Sequence, residues 1–98
     1  MPKPKTFDDA CRELAQELAE LIIKKQKDYG KKNISGSIVE PQIAIAVRIH
    51  DKLARLVNLT QTGAAPSNES LQDTALDIIG YGFVLKMVLD GTFELPLE

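Results

Sequence analysis

The chain has 98 residues, 44% of them hydrophobic and 27% charged, with aromatic side chains at only 5% and no Trp. These values predict a single domain whose modest core rests on Leu, Ile, Val and Ala, the composition of a helical bundle and not of a β-sandwich. A net charge of −2 argues against general nucleic-acid affinity, because that affinity scales with the phosphates a protein neutralises. Cys11 is the single cysteine, so no internal disulfide forms. Neither a signal-like apolar start nor an apolar run of about 18 residues is present, and the expectation is a cytoplasmic protein without a membrane partner.

Residues 1–5, with Pro2 and Pro4, read as a flexible lead-in to one all-α domain spanning 1–98. Thr6 with Asp9 three residues on forms a capping-box pattern, and the first helix is predicted over about 7–28. Its apolar stripe is Phe7, Ala10, Cys11, Leu14, Leu18, Leu21 and Ile22, which places Cys11 inside as an inert thiol. Glu13, Glu17, Glu20 and Lys24 fall mainly on the opposite, solvated side. Gly30 reads as a left-handed stop. Lys24, Lys25, Lys27, Lys31 and Lys32 crowd five cations around Asp28 at this end. The polar loop 31–40, with Asn33, Ser35, Gly36 and Ser37, is long enough to fold over a ligand.

Pro41 suits the first turn of a second helix over about 41–60, and the segment Thr62-Gly63-Ala64-Ala65-Pro66 breaks it. At about 100° per residue, Arg48, Asp51, Lys52, Arg55 and Asn58 fall within roughly 120° of one another. Ile43, Ala46, Val47, His50, Leu53, Ala54 and Val57 point the other way. A helix so rich in apolar residues is expected to sit between neighbours, with its polar stripe on a cleft or another chain. His50, set amid the apolar face, reads as a packed or interface histidine, since no second His exists for a zinc pair.

Ser67 or Asn68 is the expected cap of a third helix over about 68–90, with Gly91 beyond it and a tail over 92–98 whose Phe93, Leu95 and Leu97 alternate. Glu69, Asp73 and Asp77 stand in line in this segment, and such carboxylates need partners because an unpaired buried charge costs several kcal/mol at least. Gly80 and Gly82 each cost roughly 1 kcal/mol relative to Ala inside a helix. Close helix approach is one reason to keep them; Gly80, on the Asp73 and Asp77 side, also leaves room for a ligand. Three amphipathic helices expose more apolar surface than 98 residues can cover, so the three-helix chain is expected to form an oligomeric helical bundle, with a homo-oligomer as the working assembly.

Three ordered blocks resemble a known family. Lys25-Gln26-Lys27-Asp28-Tyr29-Gly30 with Asn33, then the run from Arg48 to Leu59, then the run from Glu69 to Tyr81 are similar to the nucleotide-modification-associated domain of type 1, a small all-helical family common in bacteriophages. The resemblance covers roughly 25–97 and implies nucleotide-related chemistry in a phage setting, within the host cytoplasm. A more distant similarity is to the MazG-like all-α nucleoside triphosphate pyrophosphohydrolases, whose last metal-binding helix carries an acidic motif followed by an aromatic residue, as Asp73, Asp77 and Tyr81 do here. That similarity implies Mg²⁺ held by carboxylates, for which Asp28, Asp51, Asp73 and Asp77 are the candidates.

Three functions follow as alternatives. The first is recognition, in an interhelical cleft between the second and third helices completed by a neighbouring subunit, of a phosphorylated, modified or signalling nucleotide, a cyclic nucleotide included, with sequestration as its purpose. Lys25, Lys31, Lys32, Arg48, Lys52 and Arg55 would meet phosphate, Tyr29 or Tyr81 would stack on a base, and Asn33 or Asn58 would bond a base edge. The second is Mg²⁺-dependent pyrophosphohydrolysis, although the polar stripe of the second helix has one carboxylate against three cations. The third is a structural or partner-binding helical module, in which Arg48 and Arg55 neutralise Asp73 and Asp77 and Asp51 bridges the two arginines.

Overall fold

In a computed structural model, which describes residues 3–32, 40–63 and 70–98, the chain forms three helices: α1 (Phe7–Tyr29), α2 (Pro41–Thr62) and α3 (Leu71–Asp90). Among the described residues there is no strand, and no helix is long and apolar enough to cross a membrane. The loop residues Asn33, Ser35, Gly36 and Ser37, and also Ser67, Asn68 and Glu69, lie outside the described residues.

Local chemistry sets the helix ends. The Asp9 N–H donates to Thr6 Oγ1 at 3.1 Å, which satisfies one of the orphan donors at the start of α1. Gly30 ends α1 at φ 82°, ψ 156°, a region essentially reserved for glycine and different from the left-handed helical stop expected from the sequence. Pro41 opens α2 in its first turn, and Gly63, at φ 64° and ψ 11°, closes it. The third helix begins later than expected. Its N-cap is Ser70, whose Oγ accepts from the Asp73 N–H at 3.0 Å while the Asp73 carboxylate accepts from the Ser70 N–H at 3.4 Å. This reciprocal pair is a capping box with Asp in place of the commoner Glu.

Helices α2 and α3 run antiparallel, as Ile45 packs near Val84 and Val88 while Lys52 reaches Asp77 farther along. Ile45 and Phe93 are buried, and Ile49, Tyr81, Val84, Leu85, Met87 and Val88 close around them. Phe93 belongs to the tail, which turns back after α3. Its carbonyl accepts from Gln26 Nε2 at 2.7 Å, and the exposed Lys32–Glu94 ion pair at 2.6 Å lies beside it. The tail thus ties the end of α1 to the α2/α3 pair, while Leu95 and Leu97 stay exposed.

Helix α1 meets α3 over a short span. A Cβ built on Gly80 would lie 3.7 Å from Ile22 Cδ1, so the α1/α3 approach is ordinary contact at that point. Gly82 has nothing within 4 Å of such a Cβ, and close approach does not explain it. Leu18 is buried and Leu21 and Ile22 are half-buried, but the earlier part of the predicted stripe is not covered. Phe7 is 81% exposed, Leu14 is exposed, and so is Cys11, contrary to the interior position its spacing suggested. Glu13, Glu17, Glu20 and Lys24 are exposed as expected.

The largest departure from expectation concerns α2. Its broad apolar face points outward, with Ile43, Val47, Leu53 and Val57 between 45% and 55% exposed and Ala46, His50 and Ala54 exposed among them. The side turned to α3 is a narrower stripe of Ile45, Ile49, Leu56 and Leu59 flanked by the half-buried stems of Arg48, Lys52 and Arg55. Long cationic side chains bury their methylenes along apolar surface while keeping the charged heads at its edge, so α2 uses its mixed face inside the chain and leaves outside a face that is apolar but for His50.

Candidate functional site

The cleft, of about 440 Å³, lies between α1 and α3 and not between α2 and α3 as the sequence suggested; α2 contributes Arg48 alone and the tail Phe93. Its floor is apolar: Leu21, Ile22, Leu76, Val84 and Phe93. Around that floor stand Lys25, Gln26 and Tyr29 from α1, Arg48 from α2, and Asp77 and Tyr81 from α3, with Gly80 removing a side chain from the wall. Leu21, Ile22, Lys25, Gln26 and Tyr29 reach one cleft because steps of three and four positions return to the same side of a helix. Asp77, Gly80, Tyr81 and Val84 follow the same three-and-four spacing on α3.

The charges are unequally matched. Lys52 Nζ lies 2.9 Å from Asp77 Oδ2, and the two side chains are only 23% and 25% exposed, so the cleft carboxylate is already neutralised by a half-buried lysine. Among the described residues Lys25 and Arg48 have no ion-pair partner. The cleft therefore carries two cations in excess beside an apolar floor and two phenol rings. That combination matches an anion joined to a flat ring: guanidinium and ammonium groups meet anionic oxygens, and tyrosines offer stacking faces. A volume of about 440 Å³ lies within the range of about 300–1,000 Å³ usual for small-molecule pockets.

Of the residues singled out from the sequence, Lys25, Tyr29, Arg48, Asp77 and Tyr81 line the cleft, and Lys52 acts behind it through Asp77. Arg55 is half-buried one turn farther along α2 and is not in the cleft wall. Asn58 and Asp51 are exposed away from it, and Asp28 and Lys31 are exposed near the end of α1. Lys32 pairs with Glu94. Asp73 is engaged at the start of its own helix. Asn33 lies outside the described residues. Among the described residues no group of three His, Cys, Asp or Glu side chains is placed to hold a metal ion, so Asp28, Asp51, Asp73 and Asp77 are not gathered at one point. The ion pair formed by Asp77 is with Lys52, where the scaffold reading had named Arg48 or Arg55.

Sequence reasoning did not single out Gln26 or the apolar floor. Gln26 sits in a run of lysines and carries no periodic signal; its role depends on a tail carbonyl 67 positions away. Phe93 was noted only as one of three alternating tail residues. Compared with protein-family models, characterised proteins and solved structures, the chain matches none.

Proposed function

We propose that the protein binds a phosphorylated nucleotide in the cleft between α1 and α3. The observation that supports this reading is the juxtaposition of Lys25 and Arg48, neither ion-paired among the described residues, with Tyr29 and Tyr81 over the apolar floor. Phosphate oxygens would take the two cations, the base would lie between tyrosine faces and aliphatic side chains, and Asp77, fixed by Lys52, would accept a hydrogen bond from ribose or base. Gly80 leaves the wall open for the ring. Sequestration of a modified or signalling nucleotide, a cyclic nucleotide among them, belongs to the same proposal, as does the phage setting implied by the three family-like blocks. Hydrolysis is less favoured. It calls for several carboxylates around Mg²⁺, and the four candidates are spread over separate helix ends and faces.

The test is to incubate the purified protein and Mg²⁺ with a panel of nucleoside mono-, di- and triphosphates and cyclic dinucleotides, then analyse the solution and the protein-bound fraction by mass spectrometry. Intact nucleotide in the bound fraction is the expected result. Release of a monophosphate with pyrophosphate would replace recognition by hydrolysis, and an empty bound fraction across the panel would overturn the proposal.

A further inference from the structure

The outer face of α2 is symmetric about His50. Three positions before and after it stand Val47 and Leu53, four before and after stand Ala46 and Ala54, and seven before and after stand Ile43 and Val57. Steps of three, four and seven return to the same side of a helix, so all of these residues share the exposed face, and the face reads nearly the same from either end. It carries no Asp, Glu, Lys or Arg, and its large members are about half exposed. We infer that a second copy of this chain covers it, with the two α2 helices antiparallel about a two-fold axis through His50.

Self-complementarity is what a two-fold interface requires, because the same patch must serve on both subunits. In antiparallel register Ile43 meets Val57 of the second copy, Val47 meets Leu53, and Ala46 meets Ala54 one turn to either side of the axis. The imidazoles face each other at the axis, where a neutral ring offers one donor and one acceptor nitrogen. The apolar seam spans 14 residue steps, about 21 Å at 1.5 Å per residue, which is four turns of contact.

The surface area points the same way. The chain exposes 7432 Å², whereas a compact monomer of its 10.8 kDa exposes about 5,500 Å². The radius of gyration is 15.2 Å against about 12.6 Å for a compact chain of this length. Within that open surface the outer face of α2 supplies four large apolar side chains, Ile43, Val47, Leu53 and Val57, each 45–55% exposed. The N-terminal half of α1 also contributes to that surface, but its exposed residues lack the palindromic order that identifies a second copy as the occupant. This inference stands apart from the nucleotide reading, since the outer face of α2 is remote from the cleft wall.

The full chain is examined by sedimentation equilibrium from 1 to 100 µM, as the parent and as Val47→Glu and Leu53→Glu. The expected result is a parent of at least twice the chain mass, and variants with unchanged helical circular dichroism whose association is weakened at least a hundredfold. The register is read separately with cysteines in a Cys11→Ser background under diamide oxidation. His50→Cys is expected to cross-link with itself, whereas Ile43→Cys cross-links only when mixed with Val57→Cys. A parent that stays monomeric at 100 µM would leave the face to a partner of other chemistry and overturn the inference. So would assembly indifferent to both glutamates, or Ile43→Cys cross-linking with itself, the mark of a parallel pair.

Discussion

The two faces of α2 invert the usual relation between hydrophobicity and burial within one chain. The inner face holds Ile45, the most completely buried large side chain, next to three cations; the outer face is apolar but for His50 and open. Hydrophobic burial is non-directional and does not distinguish a neighbour in the same chain from a neighbour in another. What assigns the inner face to α3 and the tail is specific matching: Ile45 packs with Phe93 of the tail and Val84 and Val88 of α3, and Lys52 finds Asp77. Charged residues thus mark the face the chain uses on itself. An apolar face without such partners marks a surface left for something else.

That contrast breaks first at Ile45. Replacing it by Ala removes a fully buried side chain from a small core, and the expected loss is about 2–5 kcal/mol, read by urea denaturation at one fixed protein concentration. Val47→Ala, on the outer face, should cost far less at concentrations too low for association. Comparable losses at the two positions under those conditions would remove the distinction between faces.

The Lys52–Asp77 pair gives the next largest effect. Asp77→Asn leaves a half-buried ammonium with a weaker acceptor, and a loss of about 1–3 kcal/mol is expected. The double variant Lys52→Met, Asp77→Leu should recover part of it, since replacing both members of a buried pair avoids the orphaned charge. Additive losses in that cycle would show that the two groups do not depend on each other.

Much of this architecture is legible in the sequence. Thr6, Pro41 and the glycines at the three helix ends announce themselves because caps and stops depend on local chemistry. The start of α3 is less legible: Ser67, Asn68 and Ser70 are all competent caps, and only the reciprocal bond from Asp73 selects Ser70. The same bond explains why Asp73 looked like a site residue. On a helical wheel it lines up with Asp77, but at the third position of a helix a carboxylate turns back to the backbone. The cleft was half legible. Lys25, Tyr29, Arg48, Asp77 and Tyr81 stand out by type and spacing, whereas Gln26 and Phe93 enter through a contact across 67 positions, which no local pattern encodes. The orientation of α2 was misread because its wider apolar face looked like the core.

Ser70→Ala tests the selected cap directly. It should cost about 1 kcal/mol, seen as a lower melting temperature, and an unchanged value would mean that an earlier residue starts α3. Gly82→Ala carries the smallest expected effect and the opposite sign. With nothing within 4 Å of the added methyl, helix propensity should raise stability by about 0.5–1 kcal/mol. Gly80→Ala gains the same propensity but fills part of the cleft wall, so it separates stability from binding: melting should hold or rise while nucleotide affinity falls.

The cleft itself is tested most directly by calorimetric titration of the nucleotide retained from the panel into the parent protein, Lys25→Ala and Arg48→Ala, with helix content checked for each. Both variants are predicted to keep the parent's circular dichroism and to lose at least tenfold in affinity, about 1.4 kcal/mol, with a weaker dependence on salt as a phosphate contact disappears. Parent-like affinity and salt dependence in both variants would contradict the assignment of the α1/α3 cleft as the nucleotide site.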